Sequence, residues 1–321
     1  SFREHLFILY SAINSVKQKD TPNIDITLYD IEKCFDSLNL TECCNDMFEA
    51  GVVDDKLATI YDGNRNNKVA INTPCGRSDR VSIPDILTQG ASLPPLICGV
   101  HIDKIGKQAL EYKDENLFKY KNIVPIPILS MVDDLLSISE CGIKSVENNS
   151  FINAQLEMKC LNLNQSKCHT IHVGKKCEHC VKLKAHDDTM LNVEKDKYVG
   201  DIGSKDGTNT KNIKSRIGRG IGIISNIMNI LKHVSLGNFY YEIGILLREV
   251  MFLSSILLNA ETWINLSKTN IEELEKLDET LLRRILGAPA KTPIPGLYLE
   301  LGVYPIKYHL IQKRLMLKNH L

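Results

Sequence analysis

Between Ile126 and Ser139 the chain reads IPILSMVDDLLSIS, an apolar run broken by two adjacent aspartates. Ile126, Ile128, Leu129, Met131 and Val132 precede the pair, and Leu135, Leu136 and Ile138 follow it. Apolar segments this short on either side of a polar dipeptide read as two buried strands around a tight turn, with Asp133 and Asp134 at its tip. The other adjacent aspartates, Asp54-Asp55 and Asp187-Asp188, lie in polar, loop-like surroundings. Neighbouring carboxylates in a partly desolvated place repel each other and take up protons, unless a cation or hydrogen-bond donors hold the charge. A divalent metal is the economical solution, and an acidic turn facing solvent is the alternative.

The chain's 321 residues, 43% of them hydrophobic and 24% charged, can bury a sizeable core and are expected to form two lobes. No apolar run approaches the roughly 20 residues of a membrane span, which argues against a helical membrane protein. The opening SFREHLFILY is neither a signal peptide nor a start at methionine, so the sequence reads as part of a longer chain. Ten scattered cysteines without a secretion signal fit a reducing compartment rather than a disulfide framework. Within CEHC, Cys177 and Cys180 form half of a zinc pattern, with Cys168, His169, His172 and His186 nearby in sequence. The regular second half is missing, so an exposed loop is expected there rather than zinc. The formal net charge is zero, but from Lys211 onward 15 Lys and Arg stand against 9 Asp and Glu, a net of +6 that leaves −6 for the first 210 residues.

Along the chain, residues 2–16 have helical spacing, and IDITLYD from Ile24 is a strand that ends at Asp30. IEKCFDSLNL then turns helical. Asp30 therefore stands where open sheets often place functional groups, or else acts as a helix N-cap. VAINTPCGRSDRVSI alternates like a hairpin, and the Gln89-Gly90 turn leads into a helix expected to start after Pro95. In TNIEELEKLDETLLRRILG, Thr269 and Glu272 fit a capping box, Leu274, Leu277, Leu281, Leu282 and Ile285 belong to an apolar stripe, and Gly287 supplies a stop. Arg283 and Arg284 suit either a nucleic-acid backbone or a solvated helix face. RIGRGIGIISNIMNILKHV, from Arg216, reads as another amphipathic helix.

Taken in order, the strand ending in Asp30, the QG turn before a helix and the hairpin tipped by Asp133-Asp134 resemble motifs A, B and C of reverse transcriptases. LNLNQSKCHTIHVG resembles motif D, with its lysine at Lys167, and KYVGDIGS resembles the hairpin called motif E. AETW at Ala260 and LLRRILGAPAKTP from Leu281 are similar to the region beyond the palm in non-LTR (LINE-type) retrotransposon polymerases. The resemblance implies an α+β fold: the end of the fingers and an antiparallel-sheet palm over residues 1–205, then a mostly helical thumb over 206–321. Three departures stand out. Met131 and Val132 replace the family's usual aromatic and small residues, and Pro94-Pro95 replaces a serine-containing arrangement. The basic fingers strands are expected to precede Ser1.

What the resemblance implies for function is an RNA-directed DNA polymerase whose partners are an RNA template, a DNA primer and deoxynucleoside triphosphates. Its cofactors would be two Mg²⁺ or Mn²⁺ ions. By resemblance Asp30 bridges both ions with help from the backbone carbonyl of Ile31, Asp133 is the second shared ligand and Asp134 the weaker partner. Phe35 lies at the position of the steric gate beneath the incoming sugar. Gln89 and Gly90 would contact nucleotide or template, Lys167 would protonate the leaving group, and a nuclear or cytoplasmic location is implied. The alternative is a non-catalytic remnant that at most binds nucleic acid.

Overall fold

Strand Asn23–Asp30 (β1) carries buried side chains on both faces, Ile24, Ile26 and Leu28 on one and Thr27 and Tyr29 on the other, so it belongs inside a sheet rather than at an edge. The computed structural model places it at the centre of a five-stranded sheet. It describes residues 2–320 apart from 22, 84–86, 88–92, 113–116, 121–123, 127, 141, 176–182, 186–187, 234–236 and 265. Leu129–Met131 (β2) and Asp134–Glu140 (β3) form a hairpin, and β1 pairs antiparallel with β3 on one side and with His169–Gly174 (β4) on the other. Leu191–Asn192 (β5) runs parallel to β4, giving the order β5-β4-β1-β3-β2.

Residues 12–194 form one unit, and residues 1–11 with 195–321 form another. In the first, Leu40–Glu49 (α2), Asp54–Asn64 (α3), Pro94–Tyr112 (α4) and Ile143–Met158 (α5) share one core with the Tyr29 and Leu135 side of the sheet. Cys43 and Met47 come from α2, Ile97, Ile102 and Ile105 from α4, and Ile152 and Leu156 from α5. Tyr29 donates from this dry interior to Asn149 Oδ1 at 3.0 Å, which satisfies a hydroxyl that burial would otherwise penalise. Asn39 caps α2 by accepting from the backbone N–H groups of Thr41 and Glu42. Helix α4 begins at Pro94, not after Pro95. The N–H groups that proline lacks are unpaired in a first helical turn anyway. The alternating segment after α3 is a hairpin, with Lys68–Val69 against Val81–Ser82 and Asn72–Thr73 against Gly76–Arg77.

The opening helix Phe2–Lys17 (α1) is present as expected. In the second unit Lys195–Tyr198 (β6) pairs with Asp201–Ser204 (β7). Val199 and Gly200 join them with φ of 46° and 84°, both positive, as a two-residue hairpin turn of matching twist requires. The unit's longer helices are Thr210–His233 (α6), Tyr240–Leu247 (α7), Lys268–Leu286 (α8), Ile294–Leu301 (α9) and Ile306–His320 (α10). Asp201, 1% exposed, accepts from Tyr10 Oη, Asn212 Nδ2, Trp263 Nε1 and the Arg216 guanidinium. These bonds tie the hairpin to α6 and to AETW, so the hairpin groups with the helical unit. Helix α8 is capped by Ser267, whose hydroxyl accepts from Asn270 N, and not by the Thr269/Glu272 box. Gly287 ends it in the left-handed conformation, as expected. On its inner face Asp278 forms a bidentate pair with Arg248, both 0% exposed and each bond 2.7 Å.

Candidate active site

Asp30 is the last residue of β1 and Asp134 the first of β3, and the two are direct cross-strand partners. Val132 and Asp133 make the turn between β2 and β3, closed by the Met131–Asp134 pair. Val132 adopts φ 62°, a left-handed conformation that β-branched residues rarely take, while its side chain packs against the core. The aspartates thus sit at the tip that the apolar flanks indicate. Their surroundings are closer to the solvent-facing acidic turn than to the partly desolvated place that the sequence also allows. Asp133 and Asp134 are exposed and the Asp30 side chain is 33% exposed, whereas the next five residues, Leu135–Ser139, are buried. The interior of β3 is dry and its end is wet, so water screens the repulsion between the two carboxylates.

Segment 162–168 fixes the end of β1 through main-chain bonds. Asn164 N donates to Asp30 O at 2.8 Å, Glu32 N donates to Asn162 O at 2.8 Å, and Ile31 bridges Leu163. Asp30 N donates to Cys168 Sγ at 3.4 Å, and burial pushes that thiol up to about 11. Lys167, on the turn Gln165–Lys167, reaches across with Nζ 3.3 Å from Asp30 Oδ2. Asp30, Ile31, Phe35, Asp133, Asn164 and Lys167 line one cavity of about 700 Å³. Phe35 also packs on the core, so its ring forms a fixed wall. Nothing in the sequence announces Asn164, because its contribution is a main-chain N–H that any residue except proline could supply.

Among the described residues no group of three or more His, Cys, Asp and Glu side chains is placed to hold a metal. Two carboxylates and Ile31 on one open cavity are nevertheless a donor set of hard oxygens. Mg²⁺ is commonly bound this way, through one or two carboxylates with water and substrate phosphates completing the shell. Gln89, Gly90, Cys177, Cys180 and His186 lie outside the described residues. In the helical unit, Arg283 donates to the carbonyls of Pro289 and Thr292, both at 2.9 Å, and so fastens the segment that follows α8. Arg284 is exposed and lines a groove with Ile221 and Lys276.

No family model matches the chain, and no curated protein matches it. Among solved structures it is similar to apo telomerase from Candida tropicalis, at 14% identity and a TM-score of 0.49, over 88% of this chain and 46% of that one. It is also similar to telomerase from Candida tropicalis in complex with a TWJ fragment of telomeric RNA, at 13% identity and a TM-score of 0.47, over 94% of this chain and 52% of that one. The chain spans about half the length of these structures. A likeness at this identity and TM-score assigns no role to any residue of this chain.

Proposed function

We propose that this chain carries the palm and thumb of an RNA-directed DNA polymerase resembling those of non-LTR retrotransposons. One observation carries the reading: Asp30 and Asp134 are cross-strand partners, with Asp133 beside them, at the wet end of a sheet whose cavity also holds Phe35 and Lys167. Nucleotidyl transfer is an in-line attack of a primer 3′-hydroxyl on the α-phosphate of a deoxynucleoside triphosphate. It develops negative charge at both the attacking and leaving oxygens. Asp30, Asp133 and the Ile31 carbonyl would hold two Mg²⁺ or Mn²⁺ ions, with Asp134 a weaker ligand. When bound, the ions supply charge stabilisation at those oxygens.

The chain's own residues do the rest. Phe35 forms the wall beneath the incoming sugar and leaves no room for a 2′-hydroxyl, while Gln89 and Gly90 contact the nucleotide or template. Lys167 leaves Asp30 and gives its proton to the departing pyrophosphate, a type of assistance worth roughly 10²- to 10⁴-fold. Arg284 and Arg283 lie along the nucleic-acid backbone, and the protein works in the nucleus or cytoplasm. Primer extension tests the reading. Joined to a basic fingers segment, the chain extends a DNA primer on an RNA template with deoxynucleotides and Mg²⁺, Asp133→Ala removes extension, and Phe35→Ala admits ribonucleotides. A folded protein that binds primer and template yet never extends with Mg²⁺ or Mn²⁺ leaves the non-catalytic, nucleic-acid-binding reading in its place.

A further inference from the structure

The wall of the carboxylate cavity carries one thiol, Cys34, with a second, Cys98, directly behind it, and the polymerase chemistry uses neither. Cys34 follows the left-handed Lys33, directly precedes Phe35, and lines the cavity together with Asp30 and Asp133. Cys98 lies on α4, one turn past Pro95, which lines the same cavity. Although 64 residues separate them, their Sγ atoms are 3.4 Å apart. Both are reduced and buried, Cys34 at 4% and Cys98 at 0% exposure. A disulfide requires roughly 2.05 Å between sulfurs, so the pair closes if they approach by a little over an ångström. Only Cys34 is seen among the cavity-lining residues, which makes it the thiol that a small reagent meets first.

We propose that Cys34 and Cys98 form a covalent modification site, a dithiol at the cavity wall that a hydroperoxide closes to a disulfide and a trivalent arsenical bridges. In the first step the Cys34 sulfur attacks one peroxide oxygen, an S–O bond forms as the O–O bond breaks, and the departing oxygen takes up the thiol proton. Sulfur is oxidised by two electrons to a sulfenic acid, and the peroxide is reduced to water or an alcohol. In the second, the Cys98 sulfur attacks the sulfenic sulfur, an S–S bond forms, the S–O bond breaks, and the hydroxyl leaves as water with the Cys98 proton. The Cys98 thiol is held well above its ordinary range by its hydrogen bond to Cys34 and by burial. It is therefore the slower partner that resolves and not the one that initiates. Closure draws the turn before Phe35 toward α4 and reshapes the wall that Phe35 and Pro95 share.

The test oxidises the reduced full chain with hydrogen peroxide, blocks the remaining thiols and maps the digest without reductant. A peptide pair joined through Cys34 and Cys98 is expected, abolished by dithiothreitol and prevented by prior treatment with phenylarsine oxide. The arsenical arm uses the unaltered chain, so it decides the matter even if Cys34→Ser or Cys98→Ser fails to fold. The proposal is overturned if the exposed Cys75 and Cys160 are oxidised while Cys34 and Cys98 stay reduced, or if Cys98 joins Cys43 instead. A reversible loss of primer extension on oxidation, absent in Cys98→Ala, is also expected. That effect rests on the polymerase reading, whereas the peptide map does not, so either can fail without the other.

Discussion

Val132 is a β-branched residue in a turn position that favours glycine, and the hairpin tolerates it because the side chain packs against the core. Two effects oppose each other there. Val132→Gly relieves a backbone conformation costing about 1–3 kcal/mol but gives up part of a valine's burial, worth about 1.5 kcal/mol or more. The expected outcome in urea unfolding is a stability within about 1 kcal/mol of the parent. Leu135→Ala, at a side chain 1% exposed on β3, should cost about 2–5 kcal/mol in the same assay. Equal losses for the two variants would mean that the turn stores no strain. The neighbouring carboxylates permit a second test, made by calorimetry. Mg²⁺ should raise the melting temperature of the chain, and Asp133→Asn should remove most of the rise. Lys167→Ala should enlarge it, because the ammonium 3.3 Å from Asp30 competes with the metal for that oxygen. The same Mg²⁺ shift in parent and Asp133→Asn would sink the ligand assignment. The position of this pair was legible because charge inside an apolar run has few explanations. Its exposure was not, since the run does not say which end of a strand leaves the sheet.

For elements, periodicity was the reliable signal and local chemistry the less reliable one. The stripe through Leu274, Leu281 and Ile285 located α8 and Gly287 located its end, but the capping box chose the wrong start. Thr269 is already inside the helix, and Ser267 supplies the oxygen that satisfies Asn270 N. Ser267→Ala should therefore cost about 1 kcal/mol, while Thr269→Ala leaves stability nearly unchanged. The reverse ranking by thermal unfolding would restore the capping box. Asp278 shows a deeper limit, because a charge between apolar stripe residues reads as the solvated side of a helix. Only the fold reveals Arg248, 30 residues upstream, waiting for it. Removing one partner strands a buried charge, so Arg248→Met alone should lose about 3–5 kcal/mol. The double change Arg248→Met with Asp278→Leu should recover most of that loss. A double variant as unstable as the single would show that the pair contributes net attraction rather than mutual compensation. Asp201 escaped sequence reading for the same reason, because its four donors come from segments far apart in the chain.

Across the whole molecule, His101 is buried and His5 and His309 are half-buried, each in surroundings that oppose its charging, and this predicts how stability depends on acidity. His101, 1% exposed in the sheet unit, has its pKa lowered chiefly by burial and then by Lys159, against the opposing pull of Asp46 and Glu42. Its Nδ1 lies 2.6 Å from Asp46 Oδ2, and its Nε2 has no partner to receive a second proton. His5 and His309, both in the helical unit, are likewise lowered first by burial. Arg248 then opposes charging of His309, while Asp278 and Glu249 favour it. In each case the unfolded chain binds a proton near the ordinary value of 6.5 while the folded chain resists it. Stability contributed by these groups is therefore present above that value and lost as the pH falls below it. Asp46 adds a loss of the same sign at lower pH. Although burial pushes its carboxyl up, the ammonium groups of Lys104 and Lys159 bring it below the ordinary range, so protonating it in acid breaks that cluster. The urea midpoint should accordingly drop between about pH 7.5 and about pH 5.5. The only tryptophan, Trp263, reports the helical unit by fluorescence, and circular dichroism reports both units. His101→Asn should reduce the drop seen by circular dichroism and leave the tryptophan-detected drop in place, since the histidines of the helical unit are untouched. A midpoint that stays constant or rises over this range would mean that the imidazoles find water or acceptors when charged, and that their burial carries no penalty.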